Sequence, residues 1–224
     1  NALRVLGFEV HTLQDASKQE MQDLQDNLRG LLRRADVGLF FYAGHGLQIN
    51  GENFMVPVDA SFENVHDLSG ELVSMSKFLS RMEKYTKTNL IFLDACRNNP
   101  LADVIQSQVA AGRSMTIDKK KGQVRSVGQG LAEMHASVGT LIAYATQPGN
   151  VAEDGQGMNS PFTTGILKHL HEPGTEVREI LTSVRVSVLA ETSRRQIPWD
   201  HSSLTEEFYF IAPVKPRDIP IPPP

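Results

Sequence analysis

The sequence predicts an α/β protein, a sandwich of helices around a mostly parallel sheet. Three continuous apolar runs carry that expectation: "ADVGLFFYAG", "TNLIFLDAC" and "GTLIAYAT". Each is too short for a helix of its own and uniformly apolar, as a strand covered on both faces must be. Between them lie segments whose apolar residues recur every three or four positions, as amphipathic helices require.

From the start, "GFEVHTLQDA" reads as a short strand followed by polar turn residues. Ser17 and Glu20 then form a capping-box pair. With Met21, Leu24, Leu28, Leu31 and Leu32 behind them they predict a helix over roughly 17–34. The first apolar run follows. "NFMVPVDA" reads as a short extended piece that Pro57 keeps away from a sheet centre. A helix over 74–84 leads to the second run, which ends at Cys96. Positions 111–130, "AGRSMTIDKKKGQVRSVGQG", are glycine-rich and charged, and read as a loop. The third run follows it. Ser160-Pro161 is an N-cap followed by proline at the first helical position, and helices are expected over 161–171 and 175–192. "EEFYFI" is expected to be the last strand. The expected domain is 1–212, followed by a proline-rich linker over 213–224 that leads to further domains.

Composition narrows the function. Of 224 residues, 40% are hydrophobic and 21% charged, as in an ordinary globular chain. A net charge of -4 offers no cationic footprint for nucleic acid. No apolar run approaches the roughly 20 residues that span a bilayer. The single cysteine excludes a disulfide framework and a cysteine-rich zinc site within one chain. A lone thiol suits any compartment. The start, "NALRVLGFEV", has neither an initiator methionine nor a signal-peptide pattern and reads as if entered midway.

Chemistry in α/β folds gathers at the carboxyl ends of the strands. His45, framed by Gly44 and Gly46, follows the first apolar run, and Cys96 ends the second. If the two strands are neighbours, imidazole and thiol meet as base and nucleophile. Gly44 would then turn the chain, and Gly46 would bare a backbone N–H for an oxyanion, with the N–H of Cys96 as second donor. On pattern alone the alternative stands: a buried structural thiol and a hydrogen-bonded loop histidine. Other assignments fit less well. A Cys-x5-Arg phosphatase loop fails at Ala102, and His169 and His171 face different sides of a helix, a poor metal pair. No ligand partners can be named for His11, His66 or His135, and His201 lacks a nearby glycine-opened donor.

Four separated blocks, "FFYAGHGLQINGENFMVPVDA", "LIFLDACRNNP", "GTLIAYATQPGNVAEDGQGMNSPFTTGIL" and "RRQIPWDHSSL", together resemble the bacterial caspase-like peptidases, relatives of metacaspases and paracaspases. The Ala-Cys-Arg core with a histidine about 50 residues upstream carries much of the likeness. The resemblance implies a caspase–haemoglobinase-like three-layer fold and a cysteine endopeptidase with a His45/Cys96 dyad. It also implies a first strand upstream of "LGFEV" that this stretch does not contain. Caspases carry glutamine two residues before the nucleophile, where this chain has Asp94. An acid there selects a basic P1 residue by charge complementarity, as in the metacaspase and paracaspase relatives; the other reading is a carboxylate that caps the next turn. Asp154 fits the family's acidic loop position better than Glu153.

Arg113, Lys119, Lys120, Lys121 and Arg125 would offer such an enzyme its own linker as substrate, or belong to a solvated loop. The resemblance brings calcium activation into view, yet no carboxylate cluster in the sequence demands a metal, and no cofactor is expected. The competing function is a catalytically silent caspase-like module acting through its proline-rich tail.

Overall fold

The structure is a computed structural model. It describes residues 1–61, 68–96, 100–111, 116–118, 122–124, 127–128, 131–147, 150 and 152–214. In chain order the elements are α1 (Ala2–Val5), α2 (Lys18–Leu32), β1 (Val37–Ile49), β2 (Glu52–Met55), β3 (Val73–Ser74), α3 (Met75–Tyr85), β4 (Thr88–Cys96) and α4 (Pro100–Ala110). Then come β5 (Thr116–Asp118), β6 (Gly122–Gln123), β7 (Val127–Gly128), β8 (Thr140–Tyr144), α5 (Pro161–His169), α6 (Val177–Glu191) and β9 (Trp199–Ser202).

The main sheet runs β3-β2-β1-β4-β8-β9, with β7 also pairing β1. Its core is parallel, β1 with β4 and β4 with β8, while the flanking pairs are antiparallel. Alternation along β4 decides the layers. Ile91, Leu93 and Ala95 face a cluster built from α2 and α3, with Leu28, Phe78, Leu79 and Met82. Leu90 and Phe92 face the opposite cluster from α5 and α6, with Phe162, Ile166, Ile180 and Val184. The result is the three-layer α/β/α sandwich.

Helix starts follow the sequence closely. Ser17 caps α2 in a capping box with Glu20, Ser74 caps α3, and Ser160 caps α5 with proline next to it. Other expectations are corrected. Phe8–Ala16 is not a strand: Gly7 turns at φ +87°, and Phe8 packs against Phe210, the rings tilted by 45°, without joining the sheet. The last strand is Trp199–Ser202, paired with β8, and not "EEFYFI". That segment forms only an isolated bridge, Tyr209 to Glu176, because Phe208 and Phe210 are spent on the α5/α6 cluster. Positions 100–110, left without an element by the sequence reading, form α4, and the expected loop contains the short strands β5, β6 and β7. The five cationic residues of that loop lie outside the described residues, as do His66 and positions 215–224.

Nor is β1 covered on both faces. Phe41 is 39% exposed and Ala43 is exposed, because α5 and α6 lie over β4 and β8, and of β1 only Val37 and Leu39 pack against that cluster. Among the described residues, Val37 to Gly44 pairs with β4 along one edge and with no strand along the other. No helix among the described residues is long and apolar enough to cross a membrane.

Candidate active site

The parallel ladder between β1 and β4 ends on His45 opposite Cys96. Adjacent strands lie about 4.8 Å apart, so the backbones of the two residues are neighbours at the carboxyl edge of the sheet. His45 itself is solvent-exposed.

The strand does not turn at Gly44, as the sequence suggested; β1 continues through Gly44-His45-Gly46 to Ile49. The glycines answer to packing. A Cβ on Gly44 would lie 2.9 Å from the hydroxyl and 3.1 Å from Cζ of Tyr42, a buried ring. A Cβ on Gly46 would meet Leu131 Cδ2 at 2.8 Å and Ala95 Cβ at 3.3 Å. The Tyr42 hydroxyl donates to the His45 carbonyl at 2.7 Å, and the Val56 N–H donates to the same oxygen at 3.0 Å. Burial pushes the Tyr42 phenol well above its ordinary range, so the hydroxyl stays a donor. That second bond also makes Gly46–Met55 a non-hydrogen-bonded pair of the antiparallel ladder. The Gly46 N–H is therefore turned away from β2, toward the side on which β4 ends.

Leu131, 3% exposed, begins a strap that leads into β8. The Asn53 side chain pins the strap: its Nδ2 donates to the Ala132 carbonyl and its Oδ1 accepts from the Ala132 N–H, both at 2.7 Å. Met134 N–H donates to the buried Tyr144 hydroxyl at 2.9 Å.

Asp94 lies on the α5/α6 face and is 6% exposed. Its Oδ2 accepts from Ser160 Oγ at 2.5 Å and from Thr163 Oγ1. Burial raises its pKa; the two hydroxyls oppose that, and repulsion from Asp154 adds to it. Asp154 is exposed, and its loop is anchored from both sides. Ala152 is buried, while Glu153 N–H bonds to Gln196 and its carboxylate pairs with Arg195 at 2.8 Å. Glu153 is thus committed to Arg195, whose hydrogen bond lowers its pKa.

The remaining histidines lie elsewhere. His201 lies on the edge strand β9, paired with Ile142, where its Nδ1 is 3.4 Å from Glu133. His169 bridges Glu172 and Ser187 between α5 and α6. His11 contacts Glu9. No group of three or more His, Cys, Asp or Glu arranged for a metal occurs among the described residues.

Sequence reasoning missed Tyr42, Leu131 and Asn53, whose partners are distant or set by strand geometry. It read Ser160 only as a cap and missed Thr163. The N-cap signal at Ser160 located the helix end that Asp94 contacts, but nothing local links position 94 to 160.

Comparison with known proteins decides the family. The caspase domain matches residues 1–209. The chain belongs to the caspase family. It is 39% identical over 97 residues, 43% of this chain, to human mucosa-associated lymphoid tissue lymphoma translocation protein 1, and spans 12% of that protein. The mouse homolog gives the same identity over the same length, 11% of its chain. Similarity to chicken caspase-7 extends over 222 residues at 25% identity, covering 93% of this chain and 66% of that one. The family is one of peptidases acting on protein substrates, and the fold of this chain is its α/β sandwich.

Proposed function

We propose that this caspase-family chain, read as a bacterial member, is a cysteine endopeptidase that cleaves after Arg or Lys. The observation that carries the reading is the register of β1 on β4, which makes His45 and Cys96 partners at the reactive edge. His45 is the base and Cys96 the nucleophile. The thiolate sulfur attacks the scissile carbonyl carbon, and its proton resides on the imidazole. As the tetrahedral intermediate collapses, the C–N bond breaks and His45 gives that proton to the leaving amine. Water, deprotonated by His45, then attacks the thioester carbonyl; the C–S bond breaks, the acid leaves, and the Cys96 thiolate is regenerated beside the protonated imidazole. The Gly46 and Cys96 N–H groups receive the developing oxyanion. The orientation of Gly46 away from β2 supports the first of these donors.

Asp94 and Asp154 form the acidic pocket that selects the basic side chain. Their mutual repulsion, in a site where burial already disfavours charge, is relieved when a cation arrives. The pocket would also accept Lys or Arg from the 111–130 linker, making self-processing part of the reading. The chemistry assigns no cofactor, and the assay includes calcium because the family resemblance brings calcium activation into view.

The full-length protein is incubated with fluorogenic peptides ending in Arg, Lys or Asp, with and without calcium. Cleavage of the basic pair, lost in Cys96→Ala and His45→Ala, is expected. Cleavage of none overturns the reading in favour of a silent module, and unchanged linker fragmentation in Cys96→Ala rules out self-processing.

A further inference from the structure

The two hydroxyls on Asp94 restrict what that carboxylate can offer a substrate. A carboxylate oxygen accepts about two hydrogen bonds, and Oδ2 already receives Ser160 Oγ and Thr163 Oγ1. Oδ1 carries no hydrogen bond among the described residues, and Asp94 keeps 6% of its surface exposed. The hydroxyls are themselves fixed. Ser160 Oγ accepts from the Thr163 N–H at 3.0 Å as the cap of α5, whose Phe162 is fully buried. The carboxylate is therefore held in one orientation with one oxygen used and one available.

Guanidinium differs from ammonium at this point. Arginine gains its advantage over lysine by a fork of two parallel N–H bonds to both oxygens of one carboxylate. Lysine is a point charge for which one oxygen suffices. We infer that Ser160 and Thr163 are specificity-determining residues: by occupying Oδ2 they make Asp94 a one-oxygen acceptor that does not favour P1 arginine over P1 lysine. This rests on Asp94 being the acid of the P1 pocket.

The test is the ratio of kcat/KM for matched Arg- and Lys-ending peptides in the full-length protein. In the native sequence the two substrates are expected to be cleaved at similar efficiency. Thr163→Ala removes one donor from Oδ2 and opens space for the second arm of the fork. The Arg:Lys ratio should rise about tenfold, the worth of one added charged hydrogen bond. Thr163→Ser keeps the donor and should restore the native ratio, an outcome that a purely structural contribution to α5 would not produce. A ratio that stays within about twofold in Thr163→Ala, or rises equally in Thr163→Ser, overturns the inference. Asp94→Asn separates this from the reading beneath it. If basic preference survives that change, Asp94 is not the pocket acid and the premise fails. If preference is lost in Asp94→Asn while Thr163→Ala leaves the ratio alone, only the role of the hydroxyls is wrong.

Discussion

Tyr42 controls His45 through the main chain. Its hydroxyl supplies one of two donors to the His45 carbonyl, and its ring lies where a side chain on residue 44 would stand. Tyr42→Phe removes that donor but leaves the ring, so the strand persists with its tip less firmly held. Loss of one buried hydrogen bond costs about 1 kcal/mol of stability. Misplacement of the base should lower kcat by roughly tenfold with KM little changed, because substrate contacts are untouched. Peptide kinetics and thermal melts on the variant test this; a raised KM at constant kcat would assign Tyr42 to substrate binding instead. Asp94 gives a prediction of opposite sign. Its folded-state pKa is raised, mainly by burial, so the unfolded chain ionises first as pH rises. The native fold therefore loses stability between the ordinary carboxylate range and the raised value, and regains it on acidification. Asp94→Asn removes that loss, so Tm should rise at neutral pH, with no gain where both states are protonated. Melts across a pH series check it, and an Asn variant less stable at neutral pH would mean that the hydroxyl bonds outweigh the burial.

Among the elements, legibility followed locality. Capping at Ser17, Ser74 and Ser160 depends on residues three apart, and the sequence displays it directly. The three apolar runs announced β1, β4 and β8; burial between layers demands that uniform hydrophobicity of β4 and β8, while β1 carries it with Phe41 and Ala43 exposed. The assignment failed where partners are remote. "EEFYFI" has strand composition, but its aromatics pack on α5 and α6, while the more polar Trp199–Ser202 takes the edge place beside β8. His45 was legible as a strand-end residue; that β1 runs on past it is signalled locally by the Asn50-Gly51 hairpin turn, which the reading passed over, whereas the pairing of β1 with β7 rests on remote partners. The strap from Leu131 to Ser137 shows the same dependence and yields a prediction. Asn53, 1% exposed, satisfies both backbone groups of Ala132. Asn53→Ala leaves a donor and an acceptor unpaired, which should cost roughly 2–4 kcal/mol. As Leu131 loosens from Gly46, turnover should fall alongside. Chemical denaturation measures the first and peptide assays the second; a loss below about 0.5 kcal/mol would show that water replaces the side chain without penalty.

The sheet joins chain segments on either side of the 111–130 linker. β1 and β4 precede it, β8 and β9 follow it, and β8 lies between β4 and β9. Both apolar clusters are likewise shared. Leu90 and Phe92 from the first part pack with Leu141, Phe162, Ile166 and Val184 from the second. On the other face Ile91, Leu93 and Met82 pack with Leu131, Met134 and Ile142. Large apolar side chains contribute about 1.5–3 kcal/mol each on full burial, so about ten across the divide amount to of order 20 kcal/mol. Separating the parts would return about 4–15 kcal/mol of translational and rotational freedom. Burial wins, so a cut in the linker should leave one particle rather than two. Trypsin supplies the cut at the linker's Lys and Arg residues, and the Cys96→Ala variant keeps self-cleavage out of the experiment. The cut protein should elute as a single peak at the intact size and resolve into two bands only on a denaturing gel. Two native peaks would mean that the covalent connection, and not the shared sheet and core, holds the halves of the site together.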